Sequence, residues 1–232
     1  MILLDRDRQI VLSIGRFGQL AAGHVRALHF EGLTERPVYR ALNRLIERGV
    51  LARIERRMIG GTGAGSGQYV YQLGSVGWRL AGKDGRYAPS KAVNHHTMAI
   101  VDAYIEVLRR AVAPRYRFDM VETEPDSHRT IGSVVVRPDL YFQISDMFEQ
   151  EYRHWWLEVD RGTESRTKIT QKLVAYVAAK RASKAFIPSV LFVAQDDRRA
   201  RELRWMLEQY EHNDPELFLV STASEFAGLI FE

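Results

Sequence analysis

RALNRLIERGVLARI, residues Arg40 to Ile54, decides the fold of the N-terminal third, because the side-chain period changes inside it. Up to Arg48 the apolar residues Ala41, Leu42 and Leu45 fall three and four apart and continue a spacing begun at Val38, so they form one stripe of a helix. From Val50 to Glu55 the chain alternates as a strand does, and Gly49 lies where the helix must stop. Thr34 is placed to cap this helix, and Pro37 falls in its first turn, where a missing N–H costs nothing. The opposite face carries Arg36, Tyr39, Arg40, Asn43 and Glu47, with Arg44 grouped among the candidate contacts.

Upstream, Asp5 to Phe17 reads as a helix with Ile10, Val11, Ile14 and Phe17 on one face, broken by Gly18. A second, short helix runs from about Ala21 to Phe30. Downstream, Gln68 to Leu73 alternates as a strand, and Arg56 and Arg57 lead into the run Gly60 to Gly67, with five glycines among eight residues. Three helices, a strand, a glycine-rich wing and a second strand make a winged helix-turn-helix over 1–82, with the third helix fit to enter the major groove of double-stranded DNA. Arg40 to Ile54 itself resembles the passage from recognition helix to wing in winged-helix regulators. The expected DNA contacts are Arg36, Tyr39, Arg40, Asn43 and Arg44 on the helix and Arg56 and Arg57 at the wing. The glycine run lacks the Gly-Lys-Ser/Thr ending of a phosphate-binding P-loop.

Charge supports the same half. The chain has 232 residues and a formal charge of +4, yet residues 1–86 hold fourteen Lys and Arg against seven acids, a surplus of seven that leaves −3 for the rest. Thirteen of the fourteen are Arg, whose planar fork suits phosphates and guanine edges. At 46% hydrophobic and 27% charged, with no long apolar run, the composition is that of a globular protein without a membrane partner. The first residues carry no signal-peptide pattern, so a cytoplasmic location is expected. The absence of cysteine removes disulfides, thiolate metal sites and cysteine nucleophiles together.

Gly82 to Ser90 is polar and punctuated by Gly and Pro, which reads as a linker to a second domain over 91–232. There a helix over Asn94 to Ala113 precedes strand-like runs at Tyr116 to Glu122, Val134 to Ile144 and His154 to Asp160. A helix at Glu164 to Ser183 and a strand at Ile187 to Ala194 follow, an αβββαβ order. Asp139 lies in the second run, and Glu158 and Asp160 end the third, two residues apart and so on one face. Oxygen ligands converging from adjacent strands suit Mg²⁺ or Mn²⁺, which can activate water and stabilise phosphate charge. Glu122 and Glu124 are candidates for a further carboxylate.

These residues resemble the PD-(D/E)XK nuclease-like superfamily, in which a Pro-Asp strand is followed by an acid, any residue and a lysine. Pro138 and Asp139 match the first part and Glu158 and Val159 the start of the second, whereas the lysine position holds Asp160. More closely, a winged helix joined to Arg137-Pro138-Asp139, to LEVDRGTE over 157–164 and to Gln171, Lys172, Leu173 and Tyr176 resembles the plasmid replication-relaxation family. That resemblance implies DNA association on plasmids or mobile elements. It also implies an α+β or α/β chain whose C-terminal domain is restriction-endonuclease-like.

Two readings follow. In one the chain is a double-stranded DNA-binding factor in replication or transcription control, its nuclease-like domain degenerate. In the other it is a metal-dependent endonuclease with Asp139, Glu158 and Asp160 at the metal and Lys172 or Lys168 as the migrated charge stabiliser. The first is preferred, because a carboxylate in place of lysine adds negative charge where the phosphate transition state must sit. A homodimer is possible, although no heptad run marks its helix. His95 and His96 point about 100° apart on a helix and do not suit one metal, and no nucleophile elbow is present.

Overall fold

The computed structural model describes residues 3–57, 68–112 and 114–231, and the side chains of all but 55–57 among them. The glycine run 60–67 and the side chains of Arg56 and Arg57, expected to form the wing and its contacts, lie outside the described residues. The protein is a mixed α and β chain with eight helices among the described residues, divided into two units, Met1–Ile105 and Glu106–Glu232.

Unit 1 begins with α1 (Asp5–Phe17), β1 (Gln19–Ala21), α2 (Ala22–His29) and α3 (Glu35–Glu47). Then come β2 (Leu51–Arg57), β3 (Gln68–Leu73), α4 (Ser75–Leu80) and most of α5 (His95–Arg110). Its sheet has the order β1-β3-β2, antiparallel, with Leu51 opposite Leu73 and Gln19 opposite Gln72. Ile10, Ile14, Leu20, Val25, Leu42, Leu45 and Val50 are fully buried in one core. Thr34 has the extended backbone of an N-cap, but its side chain makes no capping bond. Gly49 ends α3 in the left-handed region at φ 66°, the conformation that spares only a residue without Cβ. Gly77 permits α4 to lie on that junction, since a Cβ there would stand 2.0 Å from the Val50 carbonyl oxygen.

The boundary between the units falls inside α5, not in the 82–90 segment where the sequence places a linker. Gln72 explains the difference: its amide exchanges two hydrogen bonds with the Ser90 backbone, tying that segment to β3. Gln19 does the same with the Ala92 carbonyl and the Asn94 N–H. Val101 and Ile105 of α5 then enter the core of unit 1, and Asp102 meets His24 at 2.8 Å.

Unit 2 holds β4 (Tyr116–Thr123), β5 (Arg129–Ile131), β6 (Val134–Val136), β7 (Leu140–Asp146) and β8 (Glu151–Asp160). It continues with α6 (Arg166–Ala182), β9 (Ser189–Ala194), α7 (Asp197–Glu208), β10 (Phe218–Thr222) and α8 (Phe226–Phe231). Its main sheet runs β10-β9-β8-β7-β4. β4, β7 and β8 are antiparallel neighbours, whereas β8, β9 and β10 are parallel, with α6 and α7 as the crossovers that parallel neighbours need. The single strand expected over 134–144 is two. Pro138 cannot donate to a ladder, so β6 pairs with β5 as a separate hairpin and Asp139 sits just before β7. Trp156, Glu158 and Asp160 alternate onto the sheet face that carries the packing of α6 and α7. No described helix is long and apolar enough to cross a membrane.

Candidate functional site

In unit 1, Arg36, Arg40, Asn43 and Glu47 are exposed and recur along α3 at helical spacing, so they form one outward line. Among the described residues neither Arg36, Arg40 nor Asn43 has an ion-pair or side-chain hydrogen-bond partner. Tyr39 is half-buried against the core. Arg44 departs from the expected contact set. Its guanidinium turns back to grip both oxygens of the buried Asp7 on α1, at 2.7 and 2.9 Å. A buried carboxylate without a cation would be costly, and Arg44 is the residue that reaches it.

Unit 2 gathers the acidic residues differently from the expected cluster of three. Glu158, 2% exposed at its side chain, lies between the Lys172 ammonium at 2.8 Å and the Tyr176 hydroxyl, which donates to its other oxygen. The same ammonium reaches Glu164 at 2.8 Å. Asp139 accepts the Val159 N–H at 2.7 Å, and its charge acts on Glu158. Asp160 belongs to another environment: Arg199 of α7 binds both its oxygens at 2.9 Å, and the Gly162 N–H bonds one of them. Glu158 and Asp160 do share a sheet face, as their spacing requires, but α6 supplies Lys172 to the one and α7 supplies Arg199 to the other.

Burial, with Asp139 beside it, pushes the Glu158 carboxyl up to about 7 against the opposing pull of Lys172 and Tyr176. Burial opposes the Lys172 ammonium as well, yet the charge and hydrogen bonds of Glu158 and Glu164 outweigh it and hold that pKa above the ordinary value. Burial beside Glu158 also raises the Tyr176 phenol, so it remains a hydrogen-bond donor. The hydrogen bond to Asp160 raises the pKa of Arg199.

A hollow of about 330 Å³ opens beside this centre, where Arg137, Glu164, Lys168, Gln171 and Lys172 meet the end of β6. Lys168 is exposed at its wall. Of the two lysines proposed to replace the missing one, Lys172 is therefore the one that meets the acid. The carboxylates do not fit a divalent cation as they stand, since Glu158 and Asp160 already bind an ammonium and a guanidinium. Among the described residues no group of three His, Asp or Glu could hold a metal. Glu122 is paired with Arg129; Glu124 is hydrogen-bonded to His128, and its charge also acts on Tyr176 at the centre.

Sequence reasoning missed Arg199 and the role of Glu164. The signal for Arg199 was available: it falls with Ala200, Leu203, Met206 and Leu207 on the buried stripe of α7. A charge on an apolar stripe requires a buried partner.

The class defined by these observations is a two-unit α and β protein that pairs a solvent-facing basic helix with an internally neutralised acidic centre. The chain belongs to the replication-relaxation family, whose profile matches residues 12–190. Comparison with curated proteins yields no match. Comparison with solved structures yields none either.

Proposed function

We propose that the protein binds double-stranded DNA through unit 1 and acts in replication or transcription control on a plasmid or mobile element. In this reading 1–82 is a winged helix-turn-helix with α3 as its recognition helix. Unit 2 is a PD-(D/E)XK-like domain whose acidic centre is catalytically silent. The observation that carries the proposal is the outward line Arg36, Arg40 and Asn43, unpaired on α3. Arginine suits guanine and asparagine suits adenine in the major groove, at about 1–3 kcal/mol per good base contact. The family's name supports a role in replication. The silence of unit 2 is supported by Lys172 and Arg199, which take up the lone pairs that a metal would need.

A mobility-shift titration of the full chain with a random-sequence duplex pool tests the first part. Binding should weaken as salt rises, and Arg40→Ala should relax the selected sequence. Salt-independent binding, or none, would refute it. Incubation of supercoiled plasmid with the protein in Mg²⁺ or Mn²⁺ tests the second. The expected result is intact DNA, and cleavage that Asp139→Ala abolishes would establish the endonuclease reading instead, with Asp139 and Glu158 holding the metal.

A further inference from the structure

We propose that the outer face shared by α6 and α7 binds single-stranded nucleic acid, with Trp205 as a stacking platform. The surface lies wholly in unit 2 and stands apart from the reading of α3. Trp205 is 43% exposed and is the one exposed tryptophan of the four. It does not belong to the core stripe of α7; Arg198 and Arg201 lie seven and four residues before it, so all three share the solvent face. Arg166, at the start of α6, places its guanidinium 4.5 Å from the centroid of the indole. This fixes one ring face and sets a cation beside it.

Neither Arg198, Arg201 nor Arg166 has an acidic partner among the described residues, so each guanidinium is available to a phosphate. Unpaired arginines around an exposed ring are the complement of a phosphate chain with free bases. Arg166 also borders a shallow depression on the outer face of α6, lined with it by Thr167, Thr170, Gln171 and Val174. It offers hydroxyl and amide groups for a base edge and an apolar floor at the half-exposed Val174. The bases of a duplex are stacked on one another, so only an unpaired base can use the indole. A single strand is therefore the occupant, as in surfaces that combine cations tracking a backbone with aromatic platforms.

The test uses the full chain and a fluorescently labelled twelve-residue thymidine oligonucleotide, read by anisotropy across a salt series, with a hairpin duplex in parallel. Trp205→Ala should weaken the single strand about 5- to 150-fold, the range that loss of one stacked base implies. Trp205→Phe should restore most of the affinity, which separates stacking from folding. Arg198→Ala with Arg201→Ala should reduce the slope of log affinity against log salt by about 1.4, two phosphates' worth for a single strand. Duplex affinity should be unchanged by Trp205→Ala and reduced by Arg40→Ala, so failure here is distinguishable from failure of the α3 reading. The proposal is overturned if the oligonucleotide does not bind, if Trp205→Ala binds it as tightly as wild type, or if Trp205→Ala weakens duplex and single strand alike.

Discussion

In unit 1 Arg36 and Arg40 of α3 stand in solvent without partners, whereas in unit 2 Lys172 and Arg199 are each bound to a buried carboxylate. The difference lies in where the interaction energy resides. A solvent-facing arginine has its attraction still available to a polyanion and gains further from released counterions. A cation bound to Glu158 or Asp160 offsets the desolvation of its own partner, and removing it leaves a charge stranded in the interior. Clustered charge in a sequence therefore marks either a surface that binds or a centre that is closed, and burial of the counter-charge decides which.

The largest effect follows from breaking the closed centre. Arg199→Ala leaves Asp160 almost fully buried with only the Gly162 N–H, and loss of one partner of a buried pair costs about 3–5 kcal/mol. Chemical denaturation should register this as a lower midpoint at unchanged slope. A loss under about 1 kcal/mol would mean that solvent reaches Asp160 and that the centre is open, which would reopen the case for a metal.

Much of the first unit is legible in the sequence because its determinants are local. Val38, Ala41, Leu42 and Leu45 announce the buried stripe of α3, and the Gly49 left-handed cap fixes the turn into β2. Long-range pairings are not legible in this way. Nothing near Arg44 points to Asp7 on α1, so spacing alone assigns Arg44 to the surface. The helical pattern of α5 predicts a buried stripe without saying which core receives it, and the hydrogen bonds of Gln19 and Gln72 that decide the matter come from other elements. The sequence names Lys172 together with Lys168, and only the packing of α6 on β8 distinguishes the two. The split of 134–144 at Pro138 was also available, as a proline in a central strand argues against that strand.

Acidity should separate the two units in sign. Glu158 is held at about 7, above its ordinary 4.5, so between those values the folded state keeps a proton that the unfolded chain has released. Its contribution is fully present below about pH 4.5 and is lost as pH rises through about 7. Glu158→Gln should abolish this fall in a pH series of denaturation curves; an unaltered fall would show that another group carries it. In unit 1, burial and then Arg6 depress His29 to about 4. Its contribution is present above about pH 6.5 and lost as pH falls towards 4, the opposite direction. His29→Gln should remove that acid-side loss.

Arg44→Ala should come next, at about 2 kcal/mol, since it removes two charged hydrogen bonds from a buried Asp7 but from a guanidinium that is one-third exposed.

The smallest stability effect belongs to Arg40→Ala, four residues before Arg44 on the same helix. Arg40 is exposed and has no side-chain partner, so its truncation strands no charge and opens no cavity. Alanine is the better helix former by a few tenths of a kcal/mol, which further limits any loss. Surface changes of this kind stay within about 0.5 kcal/mol. The variant should therefore melt with wild type while losing duplex affinity, whereas Arg44→Ala should melt early and, once folded, keep its contacts with the duplex. Equal destabilisation by the two would mean that Arg40 has a structural partner, and the contrast between a binding surface and a closed centre would fail within α3 itself.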